Sequence, residues 1–246
     1  MSTATVFESR YGDAPVQAGD LWLPGGGKAP VVCLLHGGFW RVPHGRDQWQ
    51  AVAQDLVQRG HAVWNLGYRR FGEAGGGWPG TFEDVAAGIA HLVTLVRAAP
   101  IHLGDIAIAG HSAGGHLALW AAANTAVRIR AVAALAPVAD LARAWELGLG
   151  RDAVAALLGG SPSERPDAYA AASAGTARAT GSRQAIFHGA DDRAVPIELS
   201  RDYVREARAA GSDIEFHALA GTGHMDFLDP ASHAHAAWCD WLSAAR

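Results

Sequence analysis

The chain has 246 residues, half of them hydrophobic and 18% charged, and its 20 Lys and Arg against 24 Asp and Glu give a formal net charge of −4. That length fits one domain with a full core and disfavours a second sizeable one, and the composition excludes disorder and fibrous repeats. A mild acidic excess with no run of Lys or Arg offers no electrostatic footprint for nucleic acid or an anionic membrane, so the expected partner is a small molecule.

The two cysteines, Cys33 in an apolar run and Cys239 near the end, lack the CxxC spacing of a metal or redox site and are expected as buried thiols. The opening MSTATVFESR has no basic stretch followed by an apolar one, which makes a cytoplasmic location the expectation. The longest stretch without Asp, Glu, Lys or Arg, Ile106 to Val127, carries His111, Ser112, Gly114, Gly115, His116 and Asn124, a poor fit to a membrane-spanning helix.

In chain order, Gly25 to Gly27 reads as a surface loop, Val31 to Leu35 as a buried strand, and HGGFW at 36–40 as the turn that follows it. Trp49, Val52, Ala53, Leu56 and Val57 make a helical stripe stopped by Gly60, and Ala62 to Leu66 is the next strand. After a second surface loop at Gly75 to Gly77, Phe82, Val85, Ile89, Leu92, Val93 and Val96 share a helical face. Strands follow at Ile106 to Ala109 and Ala131 to Leu135. Val138 to Thr180 then breaks the alternation with two short helical patches and a Pro-marked loop, as an insertion at the edge of the sheet where ligands bind in such folds. Ala185 to Phe187 resumes the strands; a stripe of Leu199, Tyr203, Ala207 and Ala210 ends at Gly211, and Ile214 to Ala218 is the last strand. Strands alternating with helices predict an α/β fold around a mostly parallel sheet, helices on both faces, with at least six central strands.

Chemistry concentrates after the strand Ile106 to Ala109, where Gly110, His111, Ser112, Ala113 and Gly114 spell GxSxG between a strand and a helix. A serine on so tight a turn needs small residues two before and two after it, and the following amide and helix N-terminus face the space where an oxyanion develops. The serine also needs a base, and the base a carboxylate to orient it. Both are expected downstream, and HGADDRAVP and LAGTGHMDF follow the next two strands.

HGGFW at 36–40, GHSAGGHL at 110–117, HGADDRAVP at 188–196 and GTGHMDFLDP at 221–230 together resemble an α/β-hydrolase of the small-esterase and kynurenine-formamidase-like group, from about Leu21 to the C-terminus. The resemblance implies a triad of Ser112, Asp192 and His224, with Asp191 the neighbour to reject. It also implies an oxyanion hole of Gly38, Phe39 and Ala113 amides, Gly37 remaining an alternative to the first two. Phe39 stands where the hormone-sensitive-lipase-like pattern has a third glycine and His111 where it has aspartate, so the formamidase-like branch fits better.

The expected activity is hydrolysis of small carboxylic esters through an acyl-enzyme, with hydrolysis of N-formyl aryl amides as the alternative. Peptidase action and a non-catalytic ligand-binding role are disfavoured. No cofactor or metal is expected, since His233 and His235 stand two apart on a C-terminal helix and point to different faces. Trp40, Trp78, Trp145 and Met225 are expected to line the substrate pocket, and residues 138–180 to cover it. His36, His111, His116 and His188 are expected to be structural; monomer and homodimer both stay open.

Overall fold

The computed structural model describes residues 5–97, 99–174 and 181–244. Among them an eight-stranded sheet forms from β1 (Thr5–Arg10), β2 (Ala18–Leu23), β3 (Ala29–Leu35), β4 (Ala62–Leu66), β5 (Ile101–His111), β6 (Ala131–Leu135), β7 (Arg183–Gly189) and β8 (Ile214–Leu219), in the order β1-β2-β4-β3-β5-β6-β7-β8. Pairing is antiparallel across β1, β2 and β4 and parallel from there to β8. The six expected strands are all present, and β1 and β2 are additions at the N-terminal edge.

The central strands have two buried faces. In β3, Val31, Cys33 and Leu35 join the core on one side and Val32 and Leu34 the core on the other, the period-two alternation of a strand covered twice. One side is filled by α2 (Gly80–Leu95), α3 (Ala113–Asn124) and α7 (Ile197–Ala209), the other by α1 (Gln50–Gln58) and α8 (His233–Ala244). Helices α1 and α7 are followed by Gly60 and Gly211 at φ +85° and +87°, which end them as expected. Two stripe positions differ, since Val93 is 46% exposed and Ala210 faces solvent. β8 is only half buried, because it closes the sheet with one neighbour instead of two.

The Gly75 to Gly77 loop is packed and not merely superficial: a Cβ on Gly76 would lie 1.9 Å from the Arg70 carbonyl oxygen. Beneath it the Asp84 carboxylate, 1% exposed, accepts from the Arg69 backbone N–H and guanidinium and from Gln17. The segment after β6 contains three short helices, α4 (Leu141–Glu146), α5 (Ala153–Leu158) and α6 (Pro166–Ala172), where two patches were expected; residues 175–180 lie outside the described ones. It is anchored to the body of the fold, as His116 and Trp120 of α3 donate to the Ala172 and Ala171 carbonyls. Among the described residues no helix is long and apolar enough to cross a membrane.

Candidate active site

Strand β5 runs into α3 through one residue, Ser112, held at φ 56°, ψ −118°. This is a conformation that a residue with a Cβ rarely adopts and that costs about 1–3 kcal/mol, so the surroundings must impose it. They do so from both sides: Ser112 N–H donates to the Leu135 carbonyl of β6 at 2.8 Å, and its own carbonyl accepts from His116 and Val138. The flanking glycines permit the approach, since a Cβ on Gly110 would lie 2.1 Å from the Gly114 oxygen and one on Gly114 would lie 2.0 Å from the Leu35 oxygen. Gly110→Ala is therefore expected to destabilise the fold by about 3 kcal/mol or more, read as a lower urea midpoint with an unchanged slope. An unchanged midpoint would mean that the turn tolerates a methyl group here.

The loops after β7 and β8 meet beside this turn. Asp192 Oδ1 accepts the N–H groups of Ala194 and Val195 at 2.8 and 2.9 Å, which fixes the carboxylate and presents Oδ2 to His224 Nδ1 at 2.7 Å. The Asp192 side chain is fully buried and faces His224, whereas Asp191 is exposed. Burial alone would raise the Asp192 pKa, but hydrogen bonds from His188, His224 and the Val195 amide and the charge of His224 outweigh it and hold the carboxyl well below its ordinary range. With Nδ1–H given to Asp192, His224 keeps Nε2 as a proton acceptor. Among the described residues no hydrogen bond joins that nitrogen to Ser112 Oγ. His111, the residue before Ser112, has its ring centroid 4.5 Å from that of His224.

The loop after β3 passes on the opposite flank, where a Cβ on Gly37 would lie 3.3 Å from Ser112 Cβ. Gly38, Phe39 and Trp40 all have positive φ, at 98°, 50° and 56°, a strained run that only Gly38 adopts without cost. Two hydrogen bonds set the peptide planes: His36 Nδ1 lies 2.9 Å from the Gly37 oxygen, and Arg41 N–H donates to the Gly38 oxygen at 3.1 Å. In a planar trans peptide the C=O and N–H point oppositely, so tying up these carbonyls turns the Gly38 and Phe39 N–H groups to the other side. Those two and the Ala113 N–H at the start of α3 donate to no backbone carbonyl outside regular elements among the described residues.

Of the pocket residues expected from sequence, Trp40 is corrected. It has no exposed surface and packs edge-on against His116 at 5.4 Å, as part of the core on one side of the sheet. Trp78 also packs, edge-on to Phe82 at 4.9 Å, with its backbone N–H donating to the Leu157 carbonyl. Trp145 and Met225 stay open to solvent, at 37% and 56%. What sequence missed is a role for the Phe39 ring, beyond its expected amide, as it lies 2.6 Å from where a Gly150 Cβ would stand, and Arg41, which donates to the Gly150 carbonyl. These contacts join the loop after β3 to the segment between α4 and α5.

Three histidines expected to be structural each serve one loop of this cluster. His36 binds the Gly37 carbonyl, His188 Nε2 lies 2.9 Å from the Val195 carbonyl and 3.3 Å from Asp192 Oδ2, and His111 Nε2 lies 2.8 Å from the His224 carbonyl. Away from the cluster, His233 and His235 part as expected, to Thr222 and Asp55. Asp55, His235 and Cys239 bring ligand-type atoms within 4.8 Å of one another, but Arg59 donates to the same Asp55 oxygen at 2.6 Å, and burial pushes the Cys239 thiol up to about 12. We read this group as a hydrogen-bonded tie between α1 and α8.

The BD-FAE family model matches residues 20–206. The chain is 30% identical over 118 residues to the kynurenine formamidase of Danio rerio, covering 47% of this chain and 38% of that one. It is 29% identical over 266 aligned positions to the esterase LipC of Mycobacterium tuberculosis, covering 96% and 65%. The chain thus spans less than two thirds of the length of these curated relatives. Among solved structures, a truncated carbohydrate esterase from gut microbiota superposes with a TM-score of 0.83 at 21% identity, covering 99% of this chain and 96% of that one, which shows the α/β-hydrolase fold.

Proposed function

The chain belongs to the BD-FAE family, and from that premise we propose that it is a serine hydrolase of small carboxylic esters. The observation that carries the reading is Ser112 held at φ 56° on the strand-to-helix turn, beside a histidine whose Nδ1 is tied to a buried carboxylate at 2.7 Å. Ser112 Oγ attacks the ester carbonyl while His224 Nε2 takes its proton, and Asp192 keeps His224 in the required tautomer and stabilises the imidazolium. Gly38, Phe39 and Ala113 N–H groups receive the oxyanion. His224 then protonates the leaving alcohol and later activates the water that frees the acid. Substrate binding brings Ser112 and His224 into hydrogen-bond contact, as catalytic hydrogen bonds often tighten only in the complex.

The single catalytic domain carries its acyl-pocket wall on the described part, residues 138–174, of the segment expected at 138–180, supported by the contact of Phe39 with Gly150 and by the exposure of Trp145. Met225, next to His224, lies at the rim. An N-formyl aryl amide is the second reading, favoured by the formamidase relative. A fluorophosphonate is expected to label Ser112, and kcat/KM for 4-nitrophenyl acetate is expected to exceed that for N-formylkynurenine. The reverse order would assign the chain to formamide hydrolysis, and absence of both labelling and turnover would overturn the hydrolase reading.

A further inference from the structure

We propose that His111 is the positioning residue that sets His224 in register with Ser112, by donating its Nε2–H to the His224 backbone carbonyl. The two residues are 113 apart in sequence, yet this contact is 2.8 Å long. A carbonyl only accepts, so the ring must carry its proton on Nε2. Nδ1 is then the unprotonated nitrogen, and it is buried without a partner.

The contact matters because of where His111 is fixed. It is the last residue of β5, paired in register with Leu135, and it precedes Ser112 directly. Whatever its ring holds is therefore referenced to the backbone of the serine. On its other flank, the His111 oxygen and Nδ1 lie 3.0 and 3.1 Å from where a Gly37 Cβ would stand. One buried imidazole thus hydrogen-bonds the loop of the base from the residue next to the serine, and its Nδ1 borders the space that a side chain on Gly37 would need. The loop carrying His224 is tied on either side of that residue, the Thr222 carbonyl accepting from Asp191 N–H and its hydroxyl meeting His233, and the Asp226 carboxylate accepting from Gly223 N–H, while His224 itself is held at its ring by Asp192. The ring is anchored by Asp192, and its main chain by His111.

The chemistry also requires His111 to stay uncharged, since His224 becomes a cation each time it takes a proton, and a second cation in ring contact would oppose that step. Burial supplies this, pushing the His111 pKa down to about 3, with the neighbouring His224 acting in the same direction. His111 meets no reacting atom; it acts through His224.

The inference rests on the serine-hydrolase reading, and the test separates the two. His111→Met and His111→Gln are of similar length and differ in the amide N–H that Gln can offer. Labelling of Ser112 by a fluorophosphonate and kcat and KM for an ester are measured on the wild-type protein and both variants, with thermal midpoints as controls. The Met variant is expected to label about 100-fold more slowly and to lose kcat by about 100-fold with KM within about twofold, the pattern of a misplaced catalytic group. The Gln variant is expected to recover at least about tenfold of that loss. A folded Met variant as reactive as wild type overturns the proposal, and so do Gln and Met variants that are equally slow at wild-type thermal midpoints. Should the Met variant not fold, a folded Gln variant that fails to label overturns it as well. Absence of labelling in the wild-type protein overturns the hydrolase reading itself.

Discussion

Ser112→Ala is expected to lower kcat on any ester the wild-type protein hydrolyses by about 10⁵–10⁶-fold, with the fold unchanged. The substitution deletes one hydroxyl and keeps the Cβ, so the cost of holding residue 112 at φ 56° is the same for both side chains. Its amide still donates to Leu135, and its carbonyl still accepts from His116 and Val138. Stability should therefore move by no more than about 0.5 kcal/mol, as for a substitution that removes no packing or hydrogen bond. The Gly38, Phe39 and Ala113 amides survive as well, leaving a residual rate of about 10³-fold over water. Steady-state kinetics with 4-nitrophenyl acetate, alongside a thermal melt, decide the point. Retention of even a tenth of the wild-type rate would remove Ser112 from the nucleophile's role.

How far this site can be read from sequence depends on which physical constraint leaves a trace in residue type. The serine turn does, because backbone contacts at Gly110 and Gly114 admit no Cβ, and glycine is a visible consequence. The loop after β3 does so only in part. Gly38 is legible, but Phe39 and Trp40 adopt the same left-handed backbone with ordinary side chains, so nothing in HGGFW tells that Trp40 turns into the core. Strands β1 and β2 escape for a different reason. β1 is exposed or half buried throughout and β2 carries Gly19 and Asp20, so neither shows the continuous apolar run that marks β3 and β6. The roles of His36, His111 and His188 are silent in sequence because each is defined by a backbone carbonyl, which any residue supplies.

Asp192→Asn is expected to cost about 10⁴-fold in kcat while preserving the fold, because the orientation of the amide is dictated by what surrounds it. Two backbone N–H groups, from Ala194 and Val195, point at Oδ1, so the amide oxygen must take that place. The NH₂ group then stands where Oδ2 accepts from His224 at 2.7 Å. A donor there selects the His224 tautomer with bare Nδ1 and a proton on Nε2, and that ring cannot take the proton of Ser112. The same NH₂ faces His188 Nε2, 3.3 Å from Oδ2, and a buried mismatch of this kind costs about 1–3 kcal/mol. The carboxylate also has a signature in stability. Its folded pKa lies below the unfolded one, so its contribution is fully present above about pH 4 and fades as the pH falls below that. The wild-type protein should lose thermal stability below about pH 4 more steeply than Asp192→Asn, as the difference between two pH series of thermal midpoints. Parallel series would mean that Asp192 is not held as a buried carboxylate, and a variant within tenfold of wild-type kcat would move the search for the acid to another residue.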